Sequence, residues 1–126
     1  MRAIQPGEEV QVYWNFHKKC FSVQARTGTD KGRVIAHVSE FALEGVKFVI
    51  GKAGQRRVRE EGRKNVHAFV RGAWSGDAYG VGYEWVYYNP YKVDTFVTKH
   101  MAPVHTAVKA IGDSRSGMAL IFAQIA

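Results

Sequence analysis

Cys20 is the only cysteine in the chain. That scarcity excludes an internal disulfide and any cysteine-clustered zinc or iron–sulfur site, and it suits a reducing compartment. Nowhere do 18 apolar residues run together, so no transmembrane helix and no membrane partner is expected. The first ten residues, MRAIQPGEEV, place Pro6, Gly7, Glu8 and Glu9 where a secretory leader needs an unbroken apolar stretch. A soluble, unexported, cytoplasmic protein is the expectation.

Catalytic signatures are equally scarce. There is no HExxH, CxxC, GxxxxGK[ST] or GxSxG. Gly80-Val81-Gly82 precedes a strand-like run instead of leading from a strand into a helix, so it fails as a dinucleotide fingerprint. Histidines stand scattered at 17, 37, 67, 100 and 105, and the acids occur as Glu8-Glu9, Glu60-Glu61 and isolated singles. No metal, cofactor or catalytic constellation is therefore expected, and the chain reads as a non-enzyme. A metal-free ribonuclease built on His67 with Arg63, Lys64 and a tyrosine is a remote extension. Against it, His67 alternates in phase with Phe69 and reads as a half-buried packing residue. Cys20 has His17, Lys18 and Lys19 beside it, which favours a thiolate, yet a small buried hydrophobe is the plainer reading at a hairpin end.

What the chain does have is a core. In 126 residues, 46% hydrophobic and 13% aromatic composition supports one packed domain spanning 1–126. Val10, Val12, Trp14 and Phe16 alternate with polar partners, and after the break HKK the run CFSVQ resumes in phase, which predicts a hairpin. Val34, Ala36 and Val38 alternate in the next run, and GVKFVI (45–50) follows what reads as a turn at Glu44-Gly45. Further strands are predicted in NVHAFV (65–70), VGYEWVYY (81–88) and DTFVT (94–98). VHTAVKAI and MALIFAQI, separated by GDSRSG, form a closing hairpin.

One segment breaks this period. KAGQRRVREEG (52–62) lacks alternation and is rich in helix formers. On a helix, Lys52, Arg56, Arg59 and Arg63 fall within about 60° of one another as a single stripe. The predicted fold is thus α+β: a single domain with a curved, mostly antiparallel sheet of seven to nine strands and one short basic helix around 52–63.

Charge singles out the same segment. Residues 52–71 hold seven Lys/Arg against two Asp/Glu, a net of +5 of the chain's +7. The stripe reads either as the wet side of a docked helix or as a grip for phosphates or an acidic partner. Lys64 extends it. Tyr83, Tyr87, Tyr88 and Tyr91 are the tyrosines expected to border it, in a run with Trp85 that would more ordinarily build core on one side and a rim on the other. The candidate binding set is therefore Lys52, Arg56, Arg59, Arg63, Lys64, Tyr83, Tyr87, Tyr88 and Tyr91.

The blocks VYWNFHKKCFSVQ (12–24), GRKNVHAFVRG (62–72) and YNPYK (88–92) resemble recurring blocks of a family of small, uncharacterised proteins of tailed bacteriophages and prophages. The resemblance implies a phage accessory protein acting in the bacterial cytoplasm, with no activity to carry over residue by residue. Such proteins often bind a host component, including defence systems. The expected function is a binding protein that interferes with a host process of the anti-CRISPR or other anti-defence type, its partner a host protein or ribonucleoprotein complex. The alternative is direct DNA or RNA binding.

Overall fold

Alternation becomes strand over most of the sequence. The computed structural model describes residues 2–51, 56, 59–60, 68–88 and 96–125. Nine strands follow one another: β1 (Glu9–Asn15), β2 (Cys20–Ala25), β3 (Val34–Val38), β4 (Glu40–Ile50), β5 (Ala68–Ser75), β6 (Glu84–Tyr88), β7 (Phe96–Val97), β8 (Thr106–Asp113) and β9 (Leu120–Gln124). They form one antiparallel sheet in the order β3-β2-β1-β5-β4-β8-β9-β6-β7.

The expected α+β class is corrected by this: the described fold is all-β. The segment 52–63 lies mostly outside the described residues. Arg56, Arg59 and Glu60 there have helical backbone, but all three are exposed and no helix is delimited among the described residues. The core comes from the strands alone, because their apolar residues recur at every second position and one pleated sheet turns them all to one side.

That inner side carries Val10 and Val12 of β1, Phe21 and Val23 of β2, Phe41, Leu43 and Phe48 of β4, Val70 of β5, Val86 of β6, Ala110 of β8 and Ile121 of β9, all buried. The sheet curls until its ends meet over this core. Val12, Trp14, Phe21 and Val70 from one end surround the same small void as Tyr88, Phe96 and Ile121 from the other. Phe96 packs on Phe48 and Tyr88 with ring centroids at 4.9 and 5.5 Å. Among the described residues β3 and β7 remain the two edges, so the sheet is curled without being closed.

Two devices shape the curl. The first is at Gly45, where sequence suggests a turn and the structure has a bulge inside one long strand. Gly45 and Val46 together oppose Gly72, because pairing jumps from Glu44↔Ala73 to Lys47↔Arg71. Gly45 has φ +59°, the left-handed conformation a bulge of this type requires. The extra residue lets Leu43, Val46 and Phe48 all face inward. The second is the corner at Ser39, where β3 passes directly into β4. The Ser39 carbonyl accepts both the backbone N–H and the hydroxyl of Ser114, each at 2.8 Å, and Phe41 meets Phe21 edge-on at 4.8 Å just inside the bend. Gly112 lies beneath the Phe41 ring, where a Cβ would come within 2.1 Å of it.

The β1–β2 hairpin and the closing β8–β9 hairpin occur as the alternation indicates. At the N-terminus, Arg2 donates to Glu8 and, at 2.9 Å, to Asp30, fastening the chain start to the β2–β3 loop. The guanidinium holds the Glu8 carboxyl below its usual range.

Candidate functional site

With the inner side committed to the core, function falls to the outer face. Cross-strand register orders it into rows. One row runs Ala42, Ile111, Phe122 and Trp85 across β4, β8, β9 and β6. The next, towards the strand ends, holds Glu40 and Asp113, then Leu120, with Tyr87 two residues beyond Trp85 on the same side. Trp85 and Tyr87 stack with centroids 4.5 Å apart and planes at 28°, and they remain 46% and 38% exposed. Large rings left this open on a sheet, beside Phe122 and Ile111, form a strip of the kind that anchors interfaces.

An open cleft of about 490 Å3 continues the strip, lined by Glu40, Ala42, Ser75, Ala78, Ile111 and Asp113 among others. At its rim Arg115 Nη2 reaches Asp113 Oδ2 at 2.7 Å and Glu40 Oε2 at 3.9 Å. Hydrogen bonds from the Arg115 guanidinium and backbone N–H hold the Asp113 carboxyl below its ordinary range. Two carboxylates and one guanidinium give the rim no cationic excess.

The other wall is the connection from β5 to β6, laid across β8 and β9. Lys109, a buried lysine on the outer side of β8, donates from Nζ to the Tyr79 carbonyl at 3.0 Å. Gln124, its register partner on β9, donates from Nε2 to the Val81 carbonyl at 2.8 Å. Two side chains thus tie down the backbone of a loop whose own side chains Tyr79 and Val81 are almost fully exposed. A buried ammonium is costly unless hydrogen-bonded, so Lys109 fixes that loop in place.

Of the nine residues singled out by sequence, five are described: Arg56, Arg59, Tyr83, Tyr87 and Tyr88. Lys52, Arg63, Lys64 and Tyr91 lie outside the described residues, as does His67. Arg56 and Arg59 are exposed, and Arg56 Nε faces Glu60 Oε2 at 3.6 Å in a solvated i,i+4 pair. The tyrosines part company: Tyr87 is outward and exposed, Tyr83 donates from the loop to the Ala78 carbonyl at 3.4 Å, and Tyr88 points inward, where burial pushes its phenol up to about 12. Trp85, Phe122 and Lys109 carry the site that the sequence set omits. Alternation in YEWVYY and MALIFAQI is the available signal for the two rings; nothing local marks Lys109 as buried.

A Ser–His contact also occurs. Ser22 Oγ lies 2.9 Å from His37 Nδ1 and accepts from Asn15 Nδ2 at 3.2 Å. The Asn15 carbonyl oxygen accepts the backbone N–H groups of His17 and Lys18, which fixes the amide's orientation. Ser22 is wholly buried, so this link braces three strands and offers no accessible nucleophile. Cys20 begins β2 half-buried, opposite Asn15. Among the described residues no three His, Cys, Asp or Glu side chains are grouped to hold a metal.

Comparison with known proteins bears on origin. A family model of the Mycobacterium phage L5 gene 82 protein matches residues 3–117. The gene 82 protein of Mycobacterium phage L5 is 41% identical over 98 residues, covering 70% of this chain and 75% of its own length. No solved structure matches. The three blocks quoted from the sequence lie within the matched region, and the resemblance to a small, uncharacterised phage family is borne out.

Proposed function

The chain belongs to the family of the Mycobacterium phage L5 gene 82 protein, and from that premise we propose that it is a non-enzymatic binding protein that engages a host protein or ribonucleoprotein through the aromatic strip of its outer face. The stacked, exposed pair Trp85–Tyr87, continued by Phe122, Ile111 and the cleft, is the observation that carries this reading. Burying such rings is a large source of affinity, because each removes a broad apolar area from water and loses little side-chain entropy. The Glu40–Asp113–Arg115 rim favours a protein surface over a polyanion at this end of the face. Action in the cytoplasm of an infected bacterium, and interference there with a defence system, is the finer part of the proposal. It rests on membership of a phage family.

The test is a pull-down from bacterial lysate, with and without nuclease, comparing the wild type with Trp85→Ala. A host protein retained after nuclease treatment by the wild type and lost by the variant supports the reading. A partner held equally by both, or none held by the wild type, refutes it.

A further inference from the structure

The opposite half of the outer face holds a second set of side chains for which the aromatic strip has no use. Arg71 on β5 stands opposite Gln11 on β1 and Lys47 on β4. Its Nε donates to Gln11 Oε1 at 3.0 Å, and Gln11 Nε2 donates in turn to Gln24 Oε1 on β2 at 2.6 Å. This amide relay fixes the plane of the guanidinium across three strands. It occupies one of five donors and leaves the two terminal nitrogens without an acceptor among the described residues.

Gln24 closes this row on β2, and Arg26 stands one row along, two residues beyond Gln24 and opposite Glu9, whose carbonyl accepts its backbone N–H. Arg26 lies near enough to Arg71 that, after burial, its charge is the next cause depressing the Arg71 pKa. Two like charges therefore share this part of the face, with Arg71 partly desolvated. The carboxylates facing them are Glu9 and Glu44 in the adjoining row, and neither lies within ion-pair distance of Arg26, Arg71 or Lys47. Lys47 is exposed and makes no ion pair among the described residues. Assembling like charges without neutralising them costs free energy that an incoming anion recovers. From β4 to β2 the row crosses three strand spacings, about 14 Å, long enough to follow several links of a linear polyanion and too long for a single small anion.

We propose that Lys47, Arg71 and Arg26, braced by Gln11 and Gln24, bind the sugar–phosphate backbone of a nucleic acid strand. Arg71 presents its free fork to a phosphate in bidentate fashion, while Lys47 and Arg26 act as flanking charges. The row carries no base-reading group, so recognition is of the backbone and independent of sequence. The site uses none of the residues of the aromatic strip, and the two assignments stand or fall separately.

The experiment is fluorescence anisotropy of a labelled single-stranded oligonucleotide, in RNA and DNA versions of one sequence, titrated with the full chain at salt concentrations from about 50 to 200 mM. A chain of net charge +7 attracts nucleic acid in any case, so the changes on substitution are what locate the site. Lys47→Gln and Arg71→Gln should each weaken binding about eightfold at 0.1 M salt and reduce the slope of log K against log salt by about one. Arg115→Gln, at the far rim, should change neither. Lys47 is exposed and its side chain makes no hydrogen bond among the described residues, so its variant reports on binding even if Arg71→Gln perturbs the fold. Failure of the wild type to bind either strand at the lowest salt overturns the proposal. So do slopes unchanged in both variants, or displacement of the strand by inorganic phosphate at equal phosphate concentration, which would make this a free-phosphate site.

Discussion

The two halves of the outer face share a pleat, a sheet and a core, and differ only in what their outward positions carry. Over β2, β1, β5 and β4 these positions include Gln24, Gln11 and Arg71, joined by side-chain hydrogen bonds, with Lys47 beside Arg71 and the edge-on pair Tyr13–Phe69 in the neighbouring row. Over β8, β9 and β6 the same geometric slots hold Ile111, Phe122, Trp85, Leu120 and Tyr87. Inward, both halves are alike: Val12 and Val70 on one side, Ala110 and Ile121 on the other, all buried. Stability is thus drawn from one side of every strand and leaves the other free to specialise. The exposed stack Trp85–Tyr87 lies in the second half, and Arg71, braced by Gln11 beside Lys47, in the first; the two proposals assign a separate contact to each.

The largest effect should come from disturbing the frame both halves share. Gly112→Leu would drive a side chain into the Phe41 ring where β4 begins and β8 ends, costing roughly 1–3 kcal/mol by overpacking. A lower denaturation midpoint with an unchanged m-value would record it, and an unchanged midpoint would show that the ring does not rest on the glycine. Next in size, Trp85→Ala should weaken partner binding by about 2 kcal/mol while leaving the salt slope for oligonucleotides as in the wild type. If both readouts fall together, the division of the face is wrong.

Lys109→Met keeps the stem and removes the ammonium. A charge-assisted bond of this kind is worth about 1.5–3 kcal/mol locally, and limited proteolysis should then cut the chain between β5 and β6 faster than in the wild type. Equal cleavage rates would mean that Gln124 alone suffices to hold that loop.

Acid titration separates the halves more gently. Glu8 and Asp113 both have depressed pKa values, caused by Arg2 and Arg115 respectively. Their contribution is complete above the ordinary carboxyl values of 4.5 and 3.8 and is lost as pH falls through the lower folded values. Arg2→Gln and Arg115→Gln should each lower Tm slightly at pH 7 and leave it unchanged at a pH below both carboxyl values. Smallest of all, Arg56→Glu/Arg59→Glu should leave capture of the partner protein as it was; a loss there would return the contact to the basic stripe.

Much of the scaffold was readable from alternation. VQVYWNF and CFSVQ announce their hairpin because period two is the geometry of a strand with one wet side, and GDSRSG marks the last turn. Gly45 was misread because a glycine signals the left-handed conformation without saying whether the chain reverses or merely bulges; that depends on Gly72, distant in sequence. The α+β expectation arose from weighing one charged segment by helix propensity, a local quantity, whereas class is decided by what fills the core. Arg71 belongs in sequence to the basic burst and in space to a row with Gln11 and Lys47. Charge counting finds the residue, but only strand register finds its neighbours.

The turn at Ser39 has a mechanical side. Because β3 and β4 are one ribbon bent at a single residue and clamped by Ser114, the outermost strand at that margin cannot peel away without tugging on the middle of the molecule. Its amides should therefore exchange with solvent on a timescale nearer to that of β4 than to that of the two-residue β7 at the other margin.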